Sequence, residues 1–238
     1  MTNNKILNNL NFLIESGVHE FMEDSPQIRY KEKITTIKKT NNISGDLTNL
    51  TTIEELKLAI KNFDKCELKK NALNTVISDG NPNAKIMLIC EAHGADEDKE
   101  GIPFVGRAGK LLNKMLEAIN LSRDNVYITN IVPWRPPGNR QPKNEEIIMC
   151  LPFVQKHIEL INPDILVLLG GTAAKAILLT EEGVMKLRGR WHEYSSYGLQ
   201  NPIPTRVIFH PAFLLRSPTY KKDTWLDLQK IESRLNKE

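Results

Sequence analysis

Four short apolar runs, at residues 84–89, 125–132, 164–169 and 206–210, recur through the chain. Each is separated from the next by a stretch of helical periodicity. Runs this short, apolar along most of their length, suit strands buried on both faces, the condition of a parallel sheet. Strands that alternate with helices place those helices on both faces of the sheet. The expected helices span 52–63, 110–120, Asn144–Ile161, 172–179 and Lys221–Leu235; Thr52 can cap the first, with Glu54 and Glu55 in its opening turn. The fold class that follows is a three-layer α/β/α arrangement around a central, mostly parallel, four-stranded sheet.

Ahead of this pattern, Ile6, Leu10, Leu13, Ile14, Val18 and Phe21 fall at helical spacings, and residues 23 to about 51 are rich in Lys, Asn and Thr with little periodicity. The expected division is an N-terminal helix and polar linker over 1–50 and a main domain over 51–238. The helix reads as a packing element or as a handle for a partner. No apolar run reaches the ~18 residues of a membrane span, and no basic-then-apolar leader opens the chain. No membrane partner is therefore expected. Three cysteines among 238 residues build no disulfide framework and suit a reducing, cytoplasmic setting. The net charge of +3 permits nucleic-acid binding without arguing for it.

Open parallel sheets bind ligands beyond the carboxyl ends of their strands. The polar residues there should converge: Glu91 and His93 after the first run, Asn130 and the "PWRPPGNR" stretch by the second, residues 170–172 after the third, His210 after the last. Glu91 lies close enough to a strand end to activate water or face a cation. Asp96, Asp98 and Glu100 read as solvated loop charge. Gly101, Gly106 and Gly109 can expose backbone N–H groups at a helix start, a weak anion signal. Phe104, between them, is either a small-core packer or a stacking platform worth roughly 1–3 kcal/mol per base. The proline-rich loop with Arg135 and Arg140, and "KLRGRW" with Arg188, are two basic segments that suit a phosphate backbone if they share an edge. In "FHPAFLLRSP", Leu214 and Leu215 read as apolar loop residues beside Arg216, able to wedge between bases. No zinc spacing or phosphate-loop consensus is present, which argues against a metalloenzyme or a nucleotide-binding α/β protein.

Taken together these segments resemble the uracil-DNA glycosylase superfamily, most closely its family-4 branch, from about Phe63 to Leu228. The family's first motif, roughly G-E-A-P-G-x-x-E-D then G-x-P-F-x-G-x-A-G-x-L-L, is similar to residues 90–98 and 101–112. Its Y-I-T-N-I-V and R-P-P-x-N-R segments match 127–132 and 135–140, and H-P-A-[YF]-L-L-R matches 210–216. The resemblance implies a DNA glycosylase that hydrolyses the glycosidic bond of uracil after base flipping, acts as a monomer on uracil-containing DNA, and leaves an abasic site. Phe104 would stack on the base and Asn130 would read its edge, with Ala92 and Gly94 lining the pocket. His210 would stabilise charge on uracil O2. Glu91 would position water or steady the sugar cation, with Glu97 as the fallback. Leu214 would fill the gap in the duplex, and Arg216, Arg188 and Arg135 would meet DNA.

The chain also departs from that family. Four cysteines that hold an iron–sulfur cluster in many members correspond here to Phe63, Cys66, Trp134 and Cys150. Cys66 and Cys150 are remnants of the set, no [4Fe-4S] cluster or other cofactor is expected, and a packed apolar patch should stand in its place. Cys90 and His93 replace a glycine and a proline. Cys90 reads as packing; His93 is open to contacting a phosphate, tuning Glu91 or impairing turnover. A related branch traps DNA through a histidine in an inserted loop, which is missing after Val132, so hydrolysis and release are expected. The alternative function is a catalytically impaired DNA-binding member of the same fold.

Overall fold

The computed structural model describes residues 47–236. The expected helix over 5–22 and the polar stretch as far as residue 46 lie outside the described residues. Six strands form one sheet: β1 (Ser78–Gly80), β2 (Ile86–Cys90), β3 (Val126–Asn130), β4 (Ile165–Leu169), β5 (Trp191–Tyr194) and β6 (Ile203–Ile208), in the order β1-β3-β2-β4-β6-β5. The four central strands overlap the four apolar runs and are all parallel, although β6 begins three residues before the run at 206–210 and ends two residues short of it. The two outer strands are antiparallel additions of three and four residues that carry little apolar pattern of their own, so the sheet has six strands rather than four.

The period of two along each strand divides the core. Met87 and Ile89 of β2, with Leu166 and Leu168 of β4, pack into one cluster; Ile86, Leu88 and Cys90, with Ile165, Val167 and Leu169, pack into the other. Helices cover both. They are α1 (Ile53–Asn62), α2 (Ala95–Glu100), α3 (Arg107–Glu117), α4 (Asn144–Ile161), α5 (Gly171–Leu178), α6 (Val184–Leu187), α7 (Pro211–Arg216) and α8 (Lys221–Leu235). Leu56 and Ile60 of α1, Phe153 and Ile158 of α4 and Ile177 of α5 join the first cluster; Leu112 and Leu116 of α3, Leu214 of α7 and Leu228 and Ile231 of α8 join the second. Each such side chain, fully buried, contributes about 1.5–3 kcal/mol. At the start of α1 the Thr52 hydroxyl accepts from the Glu55 N–H while the Glu55 carboxylate accepts from the Thr51 and Thr52 N–H groups, the reciprocal cap expected from the sequence.

Two expected loops are helices. The acidic run after β2 winds into α2, and α7 starts where the proline at 211 was expected only to end a strand. Proline at the first helical position sacrifices no hydrogen bond, so Pro211 begins a turn as readily as it stops a strand. Among the described residues, no helix is long and apolar enough to cross a membrane.

The order of strands places the site. From β2 the chain crosses outward to β3; from β4 it crosses outward the other way to β6. The reversal opens a crevice between β2 and β4, beyond their carboxyl ends.

Candidate active site

A cleft of about 730 Å³ occupies this crevice, within the range of small-ligand sites. Glu91 and His93 reach it from the end of β2, Asn130 from β3, Gly170 from β4 and His210 from β6; Phe104 closes one side. The convergence expected from the strand ends is therefore present, its extremes Glu91 and His210 lying far apart in the chain.

Phe104 is buried in a left-handed backbone conformation, φ 57°. A side chain other than glycine or asparagine rarely rests there, and it persists only where its surroundings enforce it. Arg123 supplies part of that enforcement. Its guanidinium donates to the Pro103 carbonyl at 3.1 Å and to the Phe104 carbonyl, and it pairs with Asp79 of β1. The turn also presses against α3 at Gly109, where an added Cβ would lie 1.7 Å from the Phe104 carbonyl oxygen. Phe104 consequently stacks on the His210 ring, centroids 5.8 Å apart and planes 28° apart. Arg123 escaped sequence reasoning because an arginine in a short turn carries no local signal of its distant partners.

Asn130 is 3% exposed, and its amide nitrogen has no hydrogen-bond partner among the described residues. A buried amide donor left unmet costs about 1–3 kcal/mol. His210 is held differently. Its Nδ1 accepts from the Ala212 N–H at 2.9 Å, so in the neutral ring the proton is on Nε2, which lies 2.9 Å from Cys90 Sγ. Burial pushes its pKa down to about 4, with Arg216 acting in the same direction, so the ring is neutral at pH 7. Cys90 is thus more than packing: it touches a cleft residue.

Glu91 is half-buried and lines the cleft. Glu97 is buried, and both its oxygens are engaged, one by the Gly94 N–H at 3.1 Å and the other by the Gly106 N–H at 3.0 Å. The fallback acid therefore ties the acidic segment to the glycine loop, and its lone pairs serve the backbone. Asp98 is not solvated either. It is 2% exposed and accepts from the Leu73 and Asn74 N–H groups. His93 is 7% exposed, neither ring nitrogen has a partner among the described residues, and burial pushes its pKa down to about 4. A neutral, enclosed ring is poorly disposed to meet a phosphate. Ala92 and Gly94 line the cleft as expected.

The candidate DNA contacts divide. Arg216 is exposed at the cleft rim with Arg107 of α3, and neither forms an ion pair within the described residues. Arg135 is half-committed, donating to Asn139 at 2.7 Å and lying 3.9 Å from Asp98. Arg188 is a correction. It bonds Asp227 and the Asp223 carbonyl and sits over the Phe209 ring at 5.2 Å, so it braces α8 against the sheet. Leu214 is another: it is 1% exposed and packed in the second core cluster, because α7 turns it inward and presents Leu215, 37% exposed, to solvent.

The four positions of a possible cluster are also explicit. Cys66 and Cys150 are free, buried thiols that act on one another's titration, lowering the pKa of Cys66 and raising that of Cys150. Phe63 stacks on Trp134 at 6.1 Å and meets Phe153 edge-on at 5.0 Å, and the Trp134 indole donates to Thr75. Two thiols and two packed rings do not fit a group that requires four thiolates. Among the described residues no other trio of His, Cys, Asp or Glu is placed to hold a metal ion.

The profile of the uracil DNA glycosylase superfamily matches residues 77–229. The chain is 39% identical over 182 residues to a type-4 uracil-DNA glycosylase of Saccharolobus solfataricus, covering 74% of this chain and 83% of that protein. It is 37% identical over 186 residues to a type-4 uracil-DNA glycosylase of Archaeoglobus fulgidus, covering 76% and 92% respectively. For the type-4 uracil-DNA glycosylase of Thermotoga maritima the figures are 39% over 182 residues, 75% and 92%.

Proposed function

The chain belongs to the uracil-DNA glycosylase superfamily, and from that premise we propose that it excises uracil from DNA by hydrolysing the glycosidic bond. The observation that carries this reading is the buried, unpartnered amide of Asn130 on the cleft beside the stacked pair Phe104 and His210. An extruded uracil lies against Phe104. The Asn130 amide donates from Nδ2 to O4 and accepts N3–H at Oδ1. Cytosine presents the reverse pattern at that edge, leaving both groups unmet, so a held amide rejects it. Extrusion itself costs a few kcal/mol, least at a mispair.

The bond between the sugar C1′ and the base N1 breaks with its electron pair leaving on the base, where charge spreads to O2. His210, neutral with its proton on Nε2, donates a hydrogen bond to that oxygen and keeps the proton. One well-placed donor of this kind is worth about 10²–10³ in rate. Glu91 faces the sugar, steadies the developing cation and accepts the proton of the water that adds to C1′. Arg216, Arg107 and the first N–H groups of α3 hold phosphates at the rim. Leu215 is the exposed leucine able to enter the space the base vacates. The catalytic domain corresponds to 51–238, and no step runs through an iron–sulfur cluster.

Incubation with a uracil-containing duplex or single strand, followed by alkali, should cleave the strand at the uracil position. DNA binding without such cleavage would replace this reading with the impaired, DNA-binding one, which the Cys90 contact on His210 favours.

A further inference from the structure

Cys90 and Asn130 are register partners at the ends of β2 and β3, and the donors beside them are in opposite states. The Asn130 amide nitrogen is buried without a partner. The Nε2–H of His210, a second side-chain donor at the cleft, is already met by Cys90 Sγ at 2.9 Å. The ring has little freedom to turn away. Ala212 holds Nδ1, Phe104 covers one face, and Gly170 packs so closely that an added Cβ would come within 3.2 Å of His210 Cβ. The backbone N–H groups of Glu91 and Ala92 act on the same sulfur, opposing the upward push of burial on the thiol. These N–H groups thus act on one sulfur, buried immediately behind the cleft lining of Glu91 and His210. Sulfur is a weak acceptor, whereas a carbonyl oxygen gaining charge is the acceptor such a cradle stabilises best.

We propose that Cys90 Sγ occupies, in the resting protein, the place of the base's 2-carbonyl, and that it swings aside when uracil enters. Cys90 is then a positioning residue that sets how readily His210 is released to the substrate, and it restrains both uracil affinity and excision. This rests on the uracil-excision reading above. The exchange favours the ligand because a weak acceptor is traded for a stronger one; moving the side chain out of a packed core opposes it.

The test compares wild type with Cys90→Ala, Cys90→Gly and Cys90→Ser, using single-turnover excision, free-uracil titration, ¹⁵N spectra of labelled histidine and ¹³C spectra of labelled cysteine. Expected are a roughly three- to tenfold faster excision and tighter uracil binding in the alanine and glycine variants, about the trade of one weak hydrogen bond. The serine variant, whose hydroxyl is a stronger acceptor than a thiol, should be no faster than wild type. The His210 Nε2 resonance should move on Cys90→Ala without ligand, and in wild type it should move together with the Cys90 Cβ resonance as uracil saturates. The wild-type titration does not depend on any variant folding. The proposal is overturned if excision and uracil affinity are unchanged or weaker in the alanine and glycine variants, or if the Cys90 resonance stays fixed in saturated wild type. Equal uracil release by all four proteins overturns this inference alone. No release by any of them, with no response of His210 to uracil, overturns the glycosylase reading as well.

Discussion

The cleft and the patch around Trp134 lie on one domain and are furnished in opposite ways. In the cleft the Asn130 amide nitrogen and both nitrogens of His93 have no partner among the described residues, and Phe104 sits in a left-handed conformation. In the patch the Trp134 indole is bonded to Thr75, Phe63 is packed against two rings, and the two thiols are buried. Groups left unmet inside a protein cost stability, and they persist where a ligand supplies the partner. Groups fully met hold the fold together. The difference teaches that substitutions in the patch should act on folding and substitutions in the cleft on rate.

Trp134→Ala presses this contrast hardest. Removing a fully buried indole should cost about 3–5 kcal/mol in urea unfolding, while single-turnover excision by the folded fraction stays within about threefold. A comparable loss of rate would mean that the patch supports catalysis directly. Asn130→Ala should do the reverse: excision falls about 10²–10³-fold and the melting temperature holds or rises, since an unmet buried donor is gone. Arg123→Met frees the turn that carries Phe104 and should lower excision about 10–100-fold, with near-wild-type DNA binding by fluorescence anisotropy. If anisotropy falls equally, Arg123 shapes the DNA surface rather than the base platform.

Histidines sharpen the comparison through pH. Burial holds His93 and His210 near 4 and His157, in the core against Tyr127, near 3. All lie below the unfolded value of about 6.5, so the unfolded chain takes up protons first. Their contribution to stability is complete above about pH 6.5 and is lost as pH falls toward 4, at ~1.4 kcal/mol per pH unit for each histidine. Urea unfolding at pH 7, 6 and 5 should show this slope, and His93→Ala should flatten it by one histidine's share. Excision should not lose His210 function until pH approaches 4. The smallest effect is expected of Leu215→Ala, a few-fold loss on duplex substrate and none on single strands; Leu214→Ala should instead destabilise the fold by about 2–5 kcal/mol.

Much of this was legible in the sequence where pattern is local. The helices Asn144–Ile161 and Lys221–Leu235 match the periodicity at both ends, and the four parallel strands overlap the four apolar runs. The edge strands were hidden because "SDG" and "WHEY" are short and polar, and they pair only because β3 and β6 offer an open side. Helix α2 was hidden because a charged run after a glycine shows no apolar face; its order comes from Glu97 and Asp98 capping backbone groups of other segments. The burial of Leu214 and the exposure of Leu215 were hidden for a related reason. Consecutive residues on a helix point about 100° apart, so once 211–216 coils, one leucine must face the core and the other the solvent.

By itself the sequence determined the alternating architecture, the strand ends at which polar groups gather, and the choice of Glu91, Phe104, Asn130 and His210 as the residues that gather there. Strand register and helix crossovers decided the rest: that Arg123 grips the Phe104 turn, that Arg188 serves Asp227, and that Cys90 reaches His210 across 120 residues of chain. Periodicity and capping act over a few residues and are written in local order, whereas a contact between distant side chains exists only after the packed sheet has set their positions.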